Sequence, residues 1–269
     1  MHKVTVDGVK IAYQEYGQGV PIVFAHEFAG DMHSWESQVK YFEKTNHVVI
    51  YNAVGYPPSD VPESIELYDR EQQIKNLKGL LDHLNLHNVH LVGLSMGAHM
   101  ALGFALQFPD RLKSLVLAGA GTGSSDVGDY RSEMEERASI LEAHGMEGLA
   151  SYTLSEVRIG FKHRNHAGWN KFAENFLKHS SVGSAKTLRG YQAKRPSIYS
   201  LEPQLVDLNL PVLLIVGDED QPCVGPAQFM HSKFKNSNMI FFANSGHAVN
   251  IEYPEHFNEC LRNFYLSIG

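Results

Sequence analysis

The stretch VHLVGLSMGAHMALGFALQF (residues 89–108) decides how the rest of the chain is read. It begins as a continuous apolar run, VHLVGLS, of the kind found in a strand buried on both faces. It continues as MGAHMALGFALQF, a helix stopped by Pro109. Between them Gly93-Leu94-Ser95-Met96-Gly97 fits Gly-x-Ser-x-Gly with a strand before it and a helix after it. Such a turn strains the serine backbone and pushes its Oγ outward, and flanking glycines keep Cβ atoms from colliding there. The helix starting at Met96 aims free N–H groups and its positive dipole end at the same oxygen. Ser95 is therefore a candidate nucleophile.

Outward from this motif the chain alternates strands and helices. HKVTVDG and VKIAYQEYG, broken at Asp7-Gly8, form a hairpin with period-two alternation. VPIVFAH and HVVIYNA read as buried strands, with Trp35, Val39 and Phe42 at helical spacing between them. Ile74, Leu77, Leu81 and Leu84 make the apolar stripe of an amphipathic helix from Asp69 to Leu84. LKSLVLAG, LPVLLIVGDED and NMIFFANSGH are further strands, and a helix from Pro254 to about Leu266 closes the chain. The alternation predicts an α/β fold with a mostly parallel central sheet and helices on both faces. It is interrupted after the sixth strand. From the turn-rich GAGTGSSDVGD to about Ser200 the segments are helical only, YRSEMEERASILEAHG and AGWNKFAENFLKH being the clearest. The expected organisation is one structural unit: a core of residues 1–120 and 201–269, with residues 121–200 a helical lid.

A serine needs a base to take its proton and an acid to orient that base. Asp218, Glu219 and Asp220 follow the strand LLIVG, and His247 follows the strand ending near Ala243. Any one of fifteen histidines is more often a surface or core residue than a base. His247 is favoured by its place after the last strand. GAGTG (119–123) lacks Gly-x-Gly-x-x-Gly spacing and reads as a hinge. HNVH and HRNH lack the carboxylate or cysteine ligands of a metal site, so no metal and no cofactor are expected.

Composition sets the class. Charged residues are 20% and hydrophobic ones 43%, as in ordinary globular proteins. The net charge of −7 argues against nucleic-acid or anionic-membrane partners, which need a basic face. Cys223 and Cys260 match no disulfide or metal spacing. The opening MHKVTVDGVKIAYQ has no apolar signal core and no 18 apolar residues run together, so the expected address is the cytoplasm. Oligomeric state is not readable.

Taken together, AHEFAGDMHSW, YNAVGYPPSD, the Ser95 segment, VGDEDQP and SGHAVNIEYPEHFNECLRNF resemble the α/β-hydrolase family nearly end to end. The resemblance implies a serine hydrolase. Its Gly-x-x-Asp loop falls on Gly217 and Asp220, which selects Asp220 among the three acids, and its Gly-His pair falls on Gly246 and His247. It also implies an oxyanion hole built from the backbone N–H groups of Phe28 and Met96. Two departures stand out. Where the family has Asp-x-Arg-Gly-x-Gly-x-Ser, this chain has Asn52, Val54, Gly55, Pro57 and Ser59. Where it has His-Gly, this chain has His26-Glu27. Glu27 could face solvent or pair with a cation, could line the cleft and bind or repel substrate, or could spoil the oxyanion hole. In the lid, Arg189, Lys194 and Arg195 are candidates for a substrate carboxylate, Arg189 foremost. Trp169, Phe172 and Phe176 read as lid packing.

The expected activity is hydrolysis of a small-molecule carboxylic ester through an acyl-enzyme. C–C bond hydrolysis of aromatic ring-cleavage products is a rival, lowered because Ala248 rather than tryptophan follows His247. Enol-lactone hydrolysis stays open, and a hydrolase-fold ligand receptor with little turnover is the reading from a different class.

Overall fold

A computed structural model describes all 269 residues. Eight strands form one sheet: β1 (His2–Val6), β2 (Val9–Tyr16), β3 (Val20–Ala25), β4 (Asn46–Tyr51), β5 (Val89–Leu94), β6 (Leu112–Ala118), β7 (Val212–Gly217) and β8 (Ser237–Phe242). Their order is β1-β2-β4-β3-β5-β6-β7-β8. β2 pairs antiparallel with both β1 and β4, and every pair from β4 onward is parallel. The hairpin turns at Asp7-Gly8, both with positive φ.

Helices cover both faces because the central strands carry apolar side chains on both. The helices are α1 (Glu36–Phe42), α2 (Arg70–His83), α3 (Met96–Gln107), α4 (Val127–His144), α5 (Glu156–Arg164), α6 (His166–Leu177), α7 (Ser181–Gly190), α8 (Glu202–Asp207), α9 (Gln221–Lys233), α10 (Val249–Glu252) and α11 (Pro254–Ser267). Along β3, Val23 and Ala25 join one core with Ile74 and Leu77 of α2 and Met100 and Leu102 of α3. Ile22 and Phe24 join the other with Trp35, Val39 and Phe42, and with Phe257, Leu261 and Phe264 of α11. The period-two alternation thus divides one strand between two cores. None of the helices is long and apolar enough to cross a membrane.

Helices α4 to α7 fall between β6 and β7, where the strand rhythm of the sequence breaks. Gly119, Gly121 and Gly123 lead out of β6 with positive φ, and the next helix starts only at Val127. Two elements in this region were not legible in the sequence. α5 is mostly polar, and α7 (SVGSAKTLRG) buries small residues, Gly183, Ser184 and Ala185, instead of an apolar stripe.

The active-edge geometry depends on one absent atom. A Cβ on Gly97 would lie 2.1 Å from Ala25 O and 2.7 Å from His26 O. A Cβ on Gly93 would lie 2.4 Å from Gly97 O. The start of α3 and the end of β3 touch backbone to backbone, so neither glycine can carry a side chain without displacing main chain. Gly97→Ala should therefore cost about 3 kcal/mol or more, at or above the usual range for overpacking. A urea-unfolding midpoint within error of the parent protein would contradict the close approach.

Candidate active site

Ser95 sits between β5 and α3 with φ 53° and ψ −110°, the only positive-φ residue of the chain that is neither glycine, asparagine nor aspartate. Such a backbone persists only where its surroundings hold it. Here the Ser95 N–H donates to Ala118 O at 2.8 Å, and Ser95 O accepts from His99 N at 3.0 Å as the first turn of α3. The half-buried hydroxyl opens onto a cavity of about 300 Å³ that His247 also lines. No hydrogen bond within the chain holds the Ser95 hydroxyl; catalytic hydrogen bonds are often long or poorly aligned before substrate is bound.

His247 Nδ1 lies 2.7 Å from Asp220 Oδ2, with both residues buried. Asp220 ends the turn after β7, where its N–H donates to Gly217 O at 3.1 Å, and it caps the position where α9 begins. Burial of the carboxylate beside the ring fixes the tautomer: Nδ1 carries the proton toward Asp220, leaving Nε2 free. The His247 N–H donates to Val157 O at 2.9 Å, tying this loop to α5. Beneath the pair lies Cys223, whose thiol contacts Gly119 O and Thr122 Oγ1, each at 3.2 Å, and stands 4.0 Å from His247 Nδ1. Burial pushes that thiol well above its ordinary range, so it is a neutral packing group. Sequence spacing gave no sign of it.

The turn at residues 26–30 is braced from three sides. Ala53 N–H donates to His26 Nε2 at 3.0 Å, so the ring proton is on Nδ1, which donates to Glu27 O at 2.8 Å. Gly30 N–H also donates to Glu27 O at 3.2 Å. In a trans peptide the N–H points opposite to the carbonyl, so holding Glu27 O aims the Phe28 N–H the other way. That N–H has no partner in the chain. Met96 N–H is unpaired by position, as the first residue of α3. Tyr56 OH donates to Phe28 O at 2.9 Å and lies 4.0 Å from Met96 Sδ, holding the two residues to one another.

Asn52, a departure after β4, and Ser59, which matches the family's pattern, form scaffolding. Asn52 Oδ1 accepts from Met32 N at 2.7 Å, and its Nδ2 donates to Tyr56 O and Pro57 O. Ser59 Oγ donates to Asn52 O and accepts from Ala12 N.

Glu27 keeps an ordinary negative φ, so the missing glycine does not strain the turn. Its carboxylate neither faces solvent nor lines the cavity, which corrects its placement among substrate-binding candidates. It is 1% exposed and accepts from Arg158 Nη2 at 2.5 Å, and Arg158 is itself 2% exposed. Arg158 in turn stacks over the Tyr152 ring at 4.5 Å and contributes to the cavity wall. The neighbouring Arg164 grips Glu219 with two hydrogen bonds, 3.0 and 2.8 Å, and reaches Glu252 at 3.0 Å. α5 is thus fastened to the sheet's carboxyl edge by Arg158, by Val157 O and by Arg164.

The rest of the cavity wall comes from Phe28 and from the helical segments, notably Tyr130, Arg137, Tyr152, Leu188 and Arg195. Arg189, foremost among the carboxylate-binding candidates, lies elsewhere. Its guanidinium pairs with Glu135 and Glu142 of α4 across the α4–α7 contact, and it does not line the cavity. Lys194 does not line it either; Arg195 does. Phe172 and Phe176 are buried, and Trp169 donates from Nε1 to Thr153 O at 2.9 Å, so these side chains pack among the helical segments between β6 and β7.

Comparison with known proteins agrees with this architecture. The model of the alpha/beta hydrolase fold family matches residues 20–254. The chain belongs to that family. A putative 2-succinyl-6-hydroxy-2,4-cyclohexadiene-1-carboxylate synthase of Bacillus subtilis is 28% identical over 276 residues, 97% of each chain. 3-Oxoadipate enol-lactonase 2 of Acinetobacter baylyi is 24% identical over 96% of this chain and 94% of its own. Among solved structures, a malate-bound thermophilic esterase from Thermogutta terrifontis superposes with a TM-score of 0.90 at 24% identity, covering 100% of this chain and 99% of that one.

Two expectations follow from the braces. Glu27→Gln leaves the Arg158 charge buried and unpaired, which should cost about 3–5 kcal/mol, and adding Arg158→Met should recover most of it. Denaturant unfolding of the parent protein and the two variants checks this, and a loss below about 1 kcal/mol in the single variant would contradict it. His26, His90 and His99 are all held neutral by burial, His90 down to about 4 and His99 to about 3. The unfolded chain takes up protons below about 6.5 that these native rings refuse, so stability is full above that pH and is lost as pH falls toward 4. Unfolding free energy should drop by several kcal/mol between pH 7 and pH 5; a flat profile would contradict the neutrality of these buried rings.

Proposed function

We propose that this chain is a serine hydrolase that cleaves the carboxylic ester bond of a small molecule through an acyl-enzyme. The observation that carries the reading is the buried 2.7 Å His247–Asp220 hydrogen bond on the same cavity as Ser95. Ser95 Oγ attacks the ester carbonyl while His247 Nε2 takes its proton. Asp220 keeps the ring in the required tautomer and stabilises the imidazolium. The oxygen of the tetrahedral intermediate gathers negative charge, which the Phe28 and Met96 N–H groups receive together with the N-terminal end of α3. His247 then hands its proton to the leaving alcohol and activates water to release the acid. Each of these steps uses the chain's own groups. Residues 121–200 act as the lid, shaping the space in which the acyl and alcohol parts lie.

A cyclic ester follows the same steps, with the leaving alcohol tethered to the acyl group. The likeness to an enol-lactonase over almost the whole chain supports that variant as the second reading.

Removing a triad member in such enzymes costs up to about 10⁶ in turnover, and an Asp→Asn change about 10⁴. Ser95→Ala should abolish nitrophenol release from short-chain nitrophenyl esters and covalent labelling by a fluorophosphonate. Asp220→Asn should leave labelling slow. A Ser95→Ala variant with the parent's turnover would overturn the reading, and labelled protein with no turnover of any ester or lactone would favour a receptor.

A further inference from the structure

Arg195 is a buried cation to which the chain supplies no anion. The residue is 7% exposed and lines the same cavity as Ser95 and His247. Its Nη2 donates to Thr122 O at 2.5 Å and to Tyr130 OH at 2.8 Å, and the guanidinium stacks over the Tyr130 ring at 4.9 Å. Both acceptors are neutral. The other two guanidiniums on the wall are neutralised, Arg158 by Glu27 and Arg137 by Glu133 at 2.5 Å. The carboxylates of the wall are otherwise engaged or outside: Asp220 is bound to His247, Glu133 to Arg137, and Glu156 is exposed.

Nε and Nη1 of Arg195 have no partner in the chain, yet neither is sealed from solvent. They are therefore open to solvent, on a residue that lines the cavity. A desolvated charge without a counter-ion is costly. Arginine is also the side chain whose flat fork matches a carboxylate with two parallel hydrogen bonds. Tyr130 and the Thr122 carbonyl fix the plane of the fork in advance, which lowers the ordering cost of binding.

We propose that Arg195 anchors a carboxylate carried by the substrate, so that the site takes small anionic esters or lactones. This inference rests on the serine-hydrolase reading of the same cavity and narrows it. A charge-assisted hydrogen bond contributes about 1.5–3 kcal/mol, or roughly 10–100-fold in kcat/KM.

The test compares esters that differ only in a terminal carboxylate. On the acyl side, 4-nitrophenyl hemiglutarate is set against 4-nitrophenyl pentanoate; on the alcohol side, 4-acetoxybutanoate against butyl acetate. The parent protein should prefer the anionic member of at least one pair by about tenfold or more. Arg195→Gln should bring that ratio to about 1, and Arg195→Lys should keep part of it. Ratios near 1 in both pairs for the parent protein, or a preference that survives Arg195→Gln, would overturn the anchor. Calorimetric titration with glutarate separates the two readings. Glutarate should bind Ser95→Ala and the parent protein alike, and at least tenfold more weakly to Arg195→Gln. If no ester is turned over while glutarate binding depends on Arg195, the hydrolase reading fails and the anchor stands. Esters hydrolysed without preference for the anion leave the hydrolase reading standing and remove the anchor.

Discussion

The backbone contact between Gly97 and the end of β3 is the constraint from which the rest of the site follows. Because no Cβ intervenes, the start of α3 rests against the carbonyls of Ala25 and His26. That contact places Met96 N–H and Phe28 N–H in neighbouring turns, although 68 residues separate them in sequence. Beside it Ser95 holds φ 53°, where the chain turns from strand to helix within one residue. Strain at Ser95 is maintained by paired backbone on both sides: Ala118 O receives its N–H, and its carbonyl opens the first turn of α3.

The opposite side of the cavity is secured by α5. A mostly polar helix of nine residues would be marginal alone. Here its attachments are electrostatic. Arg158 reaches inward to Glu27, Val157 O receives the His247 N–H, and Arg164 spans Glu219 and Glu252. A buried ion pair contributes little net stability over an apolar pair of the same shape, because desolvation opposes the Coulomb gain. Its value lies in direction. An apolar substitute could slide, whereas Glu27–Arg158 fixes where α5 stands relative to the turn that carries Phe28. The residue that replaces the family's glycine thus joins the helical block to the turn that carries Phe28.

The fold was legible in the sequence because its signals are local. Continuous apolar runs, the Gly-x-Ser-x-Gly turn, and loops after strands declare themselves within about ten residues, and a mostly parallel sheet follows from alternation with helices. Ser95, Asp220 and His247 each sit in such a loop, so their positions could be read, and the structure sets all three on one cavity. The partner of Glu27 could not be read, because Arg158 lies 131 residues away on a helix without an apolar stripe. Arg189 misled for the same reason. In sequence it is one of three lid cations, and only the packing of α4 on α7 shows that Glu135 and Glu142 already hold it. Arg195 differs from it by what is absent around it, and an absent counter-ion has no sequence signature.

The central claim is that the Gly97 contact makes Phe28 and Met96 N–H into one receptor for the oxygen of a tetrahedral centre on Ser95. A crystal structure of the protein after reaction with a phosphonate ester tests it most directly, because phosphorus bonded to serine mimics that centre. The account requires a bond to Ser95 Oγ, with one phosphonyl oxygen about 2.7–3.1 Å from both nitrogens. An adduct whose oxygen points away from Phe28 and Met96, or one attached to a different residue, would contradict it.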